Sequence, residues 1–354
     1  MNIHINNADK MVHKIFKKYF FYGTSPTHQA GLNFFFAPTP SCGVSLDRFF
    51  KNIMSIHRSF SGPTLFVIKM NYYLYLQLTF FHSHLTTCLQ RKGCGWRNPN
   101  GISIRVQSVD GEAGFAEFPW MVAVMKKLPK ETYLGGGSLI HPNAVLTAAH
   151  LVSGERDLKV RAGEWDTVTT REIYPHQERD VASVVVHKDF IKQTLYYNIA
   201  LLFFTTPMEL APNVGLACLP PPESDTPDDT RCFATGWGKT RFGEEGRNAI
   251  ILKKVILLPV VSKRTCRSQL RNTRLGSAFE LHTSFMCAGG EPGRDTCRGD
   301  GGSPLVCPIE NRYYQSGIVA WGIGCGGDGV PGVYVDVVKL RPWIDDKMAG
   351  LKVE

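Results

Sequence analysis

The chain has 354 residues, 43% of them apolar, ten cysteines and a formal charge of +9, which suits a soluble globular protein with room for more than one domain. The charge is uneven: residues 1–105 carry twelve Lys/Arg against two Asp/Glu, and the remainder carries twenty-eight against twenty-nine. The larger part is therefore close to neutral, which excludes a basic domain built to grip nucleic acid.

Residues 1–92 come first. Met1 to Thr24 has no apolar core followed by small residues and does not read as a signal peptide. Leu65–Phe81 is apolar and aromatic over seventeen residues, but Lys69, Asn71 and Gln77 interrupt it. That is short for a bilayer span, so a membrane anchor is not expected. His4, His13, His28, His57, His82 and His84 also fall here, without metal-ligand spacing. No helical or strand period persists. The segment is expected to be a poorly ordered extension, or sequence added by a wrongly predicted first exon. The second fits better with a disulfide-rich body that shows no export signal.

Residues 93–105 read as a linker, with turn residues in Cys94-Gly95-Trp96-Arg97-Asn98-Pro99-Asn100-Gly101. Eight cysteines lie from Cys94 onward, widely spaced and without a Cys-x-x-Cys pair. An even, dispersed set of this kind points to disulfides and an oxidising compartment. The pairing of Cys42 and Cys88 stays open.

From residue 106 to 349 short β-like runs succeed one another. They are Trp120–Met125, Gly137–His141, Ala144–Ala149, Leu158–Gly163, Val181–His187, Ile199–Phe204, Ile251–Val261, Ser303–Cys307, Ile318–Gly322 and Val333–Val337. Many are separated by clusters of Gly, Pro, Asn and Asp. The pattern predicts an all-β barrel or sandwich, and spacing alone does not choose between them. Leu340–Met348, with Trp343 and Ile344 on one face, predicts a closing helix before a short tail at 350–354.

Three segments carry the chemistry. They are Leu146-Thr147-Ala148-Ala149-His150, Asn198-Ile199-Ala200-Leu201-Leu202, and Gly299-Asp300-Gly301-Gly302-Ser303-Pro304. They resemble the histidine, aspartate and serine loops of trypsin-like serine proteases. The resemblance implies two packed antiparallel six-stranded β-barrels with the site in the cleft between them. It gives His150 the general base's place, Asn198 the place of the buried acid, and Gly301 the place of the attacking serine. Acyl transfer of this type needs a hydroxyl beside the base, and glycine has none. A neutral amide at 198 cannot offset the charge of an imidazolium; in relatives of this family that change costs about 10⁴ in turnover. Ser303 lies about 7 Å further along an extended chain, and a misplacement of about 1 Å already costs on the order of a hundredfold. The amides of Gly299 and Gly301 remain as an oxyanion hole, a binding feature without a nucleophile.

The resemblance implies more. Asp295 takes the place of the acid that pairs with a substrate Arg or Lys, and Trp321, Gly322 and Gly332 the pocket walls, with Ala320 in place of the usual Ser. This pocket either docks a basic side chain or is a remnant. The implied disulfides are Cys94–Cys218, Cys232–Cys307, Cys266–Cys287 and Cys297–Cys325. A further bridge usual at the histidine loop is absent, Gly135 and Leu151 standing at its positions. Arg105-Val106 resembles an activation junction, but Gln107-Ser108-Val109 follows where relatives keep an apolar residue and two glycines. In active relatives the freed amine reaches the acid that is Asp300 here.

Gly93-Cys94-Gly95-Trp96-Arg97-Asn98-Pro99, Gly163-Glu164-Trp165-Asp166-Thr167, Pro175-His176-Gln177-Glu178-Arg179-Asp180 and Cys287-Ala288-Gly289-Gly290-Glu291-Pro292-Gly293 narrow the match. The chain is similar to arthropod clip-domain serine protease homologues of the phenoloxidase-activating factor two type. This implies a secreted, non-catalytic haemolymph cofactor in prophenoloxidase activation and melanisation. Its partners would be prophenoloxidase, its activating protease or other cascade proteins. A clip domain needs six cysteines, and only Cys42 and Cys88 precede Cys94. Glu164, Asp166, Glu172 and Glu178 fall in a loop where some relatives bind calcium; solvated acids are the commoner outcome, and no cofactor is expected. The other readings are a microbial-surface recognition protein and a weak peptidase using Ser303.

Overall fold

The computed structural model describes residues 93–102, 111–222, 224–239 and 246–350. The readings for residues 1–92, including Leu65–Phe81, Cys42 and Cys88, lie outside the described residues, as does Arg105-Val106.

Two β structures follow one another along the chain. The first is a seven-stranded antiparallel sheet. Its strands are β1 (Met121–Lys126), β2 (Thr132–His141), β3 (Ala144–Thr147), β4 (Leu158–Ala162), β5 (Gln177–Asp180), β6 (Ser183–Val186) and β7 (Ala200–Phe203), in the spatial order β5-β4-β1-β2-β3-β7-β6. The second is a closed six-stranded barrel. It comprises β8 (Arg231–Gly236), β9 (Lys253–Val261), β10 (Phe285–Gly289), β11 (Pro304–Ile309), β12 (Arg312–Trp321) and β13 (Pro331–Asp336), in the order β10-β13-β12-β11-β8-β9. Two barrel-like sheets and a C-terminal helix are thus present. The count of six holds for the second; the first has seven strands because residues 177–186 make two short strands on opposite edges.

The apolar runs set this arrangement. β1 and β3 are buried on both faces, as Met-Val-Ala-Val-Met and Ala-Val-Leu-Thr require. Leu146 and Leu201 of the first sheet, with Ile199 just before β7, pack in one cluster with Phe285, Ile318, Val333 and Val335 of the second. The same cluster takes Leu340 and Ile344 from helix α3 (Val337–Met348), whose first turn is capped by Asp336 accepting the Lys339 N–H. The two β structures therefore share a core, and their loops meet above it. Two further helices are α1 (Ala149–Val152), a single turn, and α2 (Lys263–Arg271), capped by Ser262.

Four disulfides join Cys94 to Cys218, Cys232 to Cys307, Cys266 to Cys287 and Cys297 to Cys325. They fit an oxidising compartment. The first ties the 93–102 segment to the body. That segment is also held by Arg97, whose guanidinium lies 4.2 Å from the Phe233 ring centre and is paired with the fully buried Glu117. Lys254 Nζ reaches the same carboxylate at 2.9 Å. Among the described residues no helix is long and apolar enough to cross a membrane.

Candidate functional site: a protease-like cleft

Three strand ends build the cleft. His150 stands on α1 directly after β3, Asn198 just before β7, and Gly301 just before β11. The first sheet supplies two groups, the second barrel supplies the third. A hydrogen bond crosses between them: the Gly136 N–H in β2 donates to the Gly301 carbonyl at 2.9 Å.

Gly301 faces His150. A β-carbon built on Gly301 would lie 3.1 Å from His150 Nε2 and 3.3 Å from Cε1. The backbone thus still aims this position at the ring, and only the side chain is missing. Gly302 beside it has φ +81°, and a β-carbon there would strike Gly136 O at 2.3 Å and Thr147 Oγ1 at 2.5 Å. Only glycine fits that turn.

Asn198 grips His150 at two points. Its Oδ1 accepts the His150 backbone N–H at 2.8 Å, and its Nδ2 lies 2.8 Å from His150 Nδ1. A backbone N–H can only donate, so the amide oxygen must face it and the NH₂ must face the ring. Nδ1 is then an acceptor, and the neutral ring carries its proton on Nε2. That is the reverse of what a base needs toward a hydroxyl at residue 301. Burial pulls the His150 pKa below the ordinary imidazole value. The Asn198 contact would favour the charged ring only through its oxygen, which is already engaged.

Ser303 does not join this group. It is fully buried, and its Oγ has no hydrogen-bond partner among the described residues. The hydroxyl sits against β2 and β8: a β-carbon on Gly136 would lie 2.0 Å from it, and one on Gly236 3.0 Å. It is sealed between strands, whereas residue 301 points into the cleft.

The missing histidine-loop bridge has a replacement. A β-carbon on Gly135 would lie 2.6 Å from Leu151 Cδ1 and 2.5 Å from Gly301 O. The leucine side chain and the Gly301 carbonyl fill the volume that a side chain at 135 would need.

Asp300 is buried and fully engaged. Oδ1 accepts the Gly238 N–H at 2.7 Å; Oδ2 accepts the Cys297 N–H at 2.8 Å and Lys253 Nζ at 2.9 Å. Lys253 was not singled out from the sequence. A lysine at the mouth of an apolar strand is the signal that could have found it. Tyr133 was missed too; its hydroxyl donates to Gly299 O at 3.2 Å.

Asp295, for which the resemblance implies the floor of a pocket, lies in the loop that leads to Gly299. Its oxygens accept the Thr296 N–H at 2.8 Å and the Gly326 N–H at 3.0 Å. Burial raises its pKa to about 6, against the pull of those two amides. Gly332 stands beside it, where a β-carbon would come within 3.0 Å of Oδ1. Trp321 ends β12 and packs edge-on against Phe279 and Phe285. Gly322 follows, and a β-carbon on it would meet only Gly324 O at 3.6 Å. Cys297–Cys325 ties the Asp295 loop to the segment that follows Gly322. Tyr334, also missed, places a buried hydroxyl next to Asp295 and Gly332.

The four acids of the loop where some relatives bind calcium are engaged within the chain. Glu164 Oε2 faces Arg161 Nη1 at 3.1 Å and His176 Nδ1 at 3.4 Å. Glu178 Oε1 faces Lys159 Nζ at 3.0 Å and Arg161 Nη2 at 2.6 Å. Asp166 caps Val168 and Thr169, and Glu172 accepts the Asp166 N–H. A guanidinium and an ammonium already occupy the acidic centre, and among the described residues no cluster of three or more His, Cys, Asp or Glu could hold a metal.

Fold and cleft together define a trypsin-like serine protease domain, and residues 109–344 match the trypsin family. Phenoloxidase-activating factor 2 of Galleria mellonella is 63% identical over 279 residues, covering 75% of this chain and 92% of that protein. Two inactive CLIP domain-containing serine proteases of Anopheles gambiae are 40% and 39% identical, covering 72% and 73% of this chain and 67% and 72% of theirs. The chain belongs to the trypsin family, among the arthropod clip-domain serine protease homologues.

Proposed function

We propose that this chain is a catalytically inactive protease homologue that works as a secreted cofactor in an innate-immune proteolytic cascade, in the activation of prophenoloxidase and melanisation. The observation that carries the reading is the pairing of His150 with Gly301: the position aimed at the ring bears no hydroxyl. Asn198 adds to it by turning the ring's proton toward the cleft. What remains is a shaped, disulfide-braced surface that binds without cutting. The name of the Galleria relative supports the cascade, and the names of the Anopheles relatives support inactivity. The partner is prophenoloxidase or the protease that activates it. No nucleic acid, membrane or metal enters the role, and the four disulfides suit an extracellular site.

The test is reconstitution. Prophenoloxidase and its activating protease are incubated with and without the secreted chain, and phenoloxidase activity is read. The expected result is a gain in activity that survives pretreatment of the chain with an organophosphate. No gain, or a gain abolished by that pretreatment, contradicts the reading. No observation in the cleft favours a microbial-surface ligand or a Ser303 peptidase over it.

A further inference from the structure

The body of the chain is close to neutral, but its charge is not evenly spread. Residues 263–279 hold Lys263, Arg264, Arg267, Arg271 and Arg274 and no Asp or Glu. Arg264, Arg267 and Arg271 recur along α2 at the three- and four-residue steps that place side chains on one helix face. Cys266 and Leu270 are the residues the helix buries. At about 1.5 Å per residue the arginine row runs about 10 Å, and Arg274 stands in the turn that follows. Arg264 and Arg274 are exposed, and neither forms an ion pair among the described residues.

Helix α3 extends the row. The Lys263 ammonium, 3.1 Å from Asp336 Oδ2, stands beside that of the exposed Lys339. Burial, and then this like charge, hold the Lys263 pKa below the ordinary lysine value. Asp336 is already engaged in capping α3, where it accepts the Lys339 N–H at 3.3 Å. Arg267 and Arg271 share one carboxylate. Glu280 lies 3.1 Å from Arg267 Nη1 and pairs with Arg271 as well, and its side chain is 64% exposed. Exposed pairs of this kind are worth little, so an outside anion displaces Glu280 at small cost.

Six cations on two helices are thus answered by Asp336 and Glu280. They are strung along a helix rather than gathered round one point, which suits a chain of anionic groups and not a single small anion. The four disulfides fit an oxidising compartment outside the cell, where polysaccharides supply anionic chains. We infer that this face of α2, with Lys263 and Lys339, binds a sulfated polysaccharide, Glu280 giving way to the polymer's anionic groups. None of the six residues belongs to the cleft, so this inference stands apart from the reading of the cleft.

The experiment is calorimetric titration of the full secreted chain. Heparin is the sulfated probe and dextran its neutral counterpart. Duplex DNA and vesicles of equimolar phosphatidylserine and phosphatidylcholine are the other polyanions. Heparin is expected to bind, and to weaken steeply as sodium chloride is raised, because counterions are released on binding; dextran is not expected to bind. At equal salt heparin is expected to bind at least about tenfold more tightly than DNA or vesicles, since a flexible chain follows the row while a stiff duplex meets it at few points. Arg264→Glu with Arg274→Glu removes two contacts and adds two repulsions, at roughly threefold each, so heparin affinity is expected to fall about a hundredfold. Lys130→Glu with Arg156→Glu makes the same change in net charge on exposed loops of the first sheet, and is expected to leave affinity within about twofold. Glu280→Gln keeps every cation and is expected to bind heparin about threefold more tightly. Heparin binding no stronger than dextran, DNA or vesicles, equal losses from the two double variants, or no gain from Glu280→Gln overturns the inference.

Discussion

Lys253 Nζ lies 2.9 Å from Asp300 Oδ2, one residue before the position that faces His150. The carboxylate is 1% exposed and the lysine 14%, so this pair is largely withdrawn from solvent. Lys253 also donates to Lys239 O at 2.9 Å, joining β9 to the segment beside the Gly299 turn. An internal cation thus helps hold the loop in place. Lys253→Met leaves Asp300 with two backbone donors and no counter-charge. The expected loss is about 3 kcal/mol, the low end for removing one partner of a buried pair. Urea denaturation reads it; an unchanged midpoint would show that the two amides suffice.

The cleft is expected to be repairable in part. Gly301 has a φ open to ordinary residues, and a side chain there needs the His150 ring to yield by a few tenths of an ångström. Gly301→Ser alone restores the hydroxyl beside a ring with the wrong tautomer. Adding Asn198→Asp corrects the tautomer and supplies the counter-charge. The double variant is expected to hydrolyse an arginyl amide on the order of 10³–10⁴ faster than the single one, the scale on which triad acids matter. Equal rates would mean that the turn, not the triad chemistry, limits the site.

Binding of a basic ligand at Asp295 is expected to depend on pH. Asp295 titrates at about 6 in the fold and 3.8 in a free chain. A guanidinium or amidinium needs it ionised. Benzamidine affinity is therefore expected to be level above about pH 7 and to fall about tenfold per pH unit well below 6. For stability the sign is the reverse. The folded state takes up a proton more readily, so the stabilisation from protonated Asp295 is complete below 3.8 and is lost as pH rises through about 6. Calorimetric titration of benzamidine between pH 5 and 8 checks the first statement, and a flat profile refutes it.

The loop around Glu164 is expected to ignore calcium. Arg161 and Lys159 neutralise Glu164 and Glu178 from within. Thermal unfolding should give the same Tm in excess calcium chloride and in excess EGTA. A clear rise with calcium would mean that the cations yield to the ion.

Much of the fold could be read from the chain where burial writes a continuous apolar run, as in Ala144–Thr147 or Ala200–Phe203. Gln177–Asp180 could not: four polar residues on a sheet edge alternate between half-buried and exposed, and carry no apolar signal. Helix α2 hid for a related reason, since only Cys266 and Leu270 are buried in it. Phe285–Gly289 escaped because Met-Cys-Ala-Gly is too short and too small to stand out. The cleft was legible where its residues sit in contiguous motifs, as His150 and Gly301 do. The Lys253–Asp300 pair spans 47 positions, and the Leu151–Gly135 filling depends on shape, so neither leaves a local trace. The direction of the His150 proton needed the Asn198 amide to be placed between a backbone N–H and a ring nitrogen.

The central claim is that no side chain in the cleft can form an acyl bond. Intact-mass spectrometry of the purified chain after exposure to a fluorophosphonate, with trypsin as the positive control, tests it most directly. The expected spectrum shows the unmodified mass alone. A stoichiometric adduct that maps to Ser303, or to any other residue lining the cleft, would contradict the account.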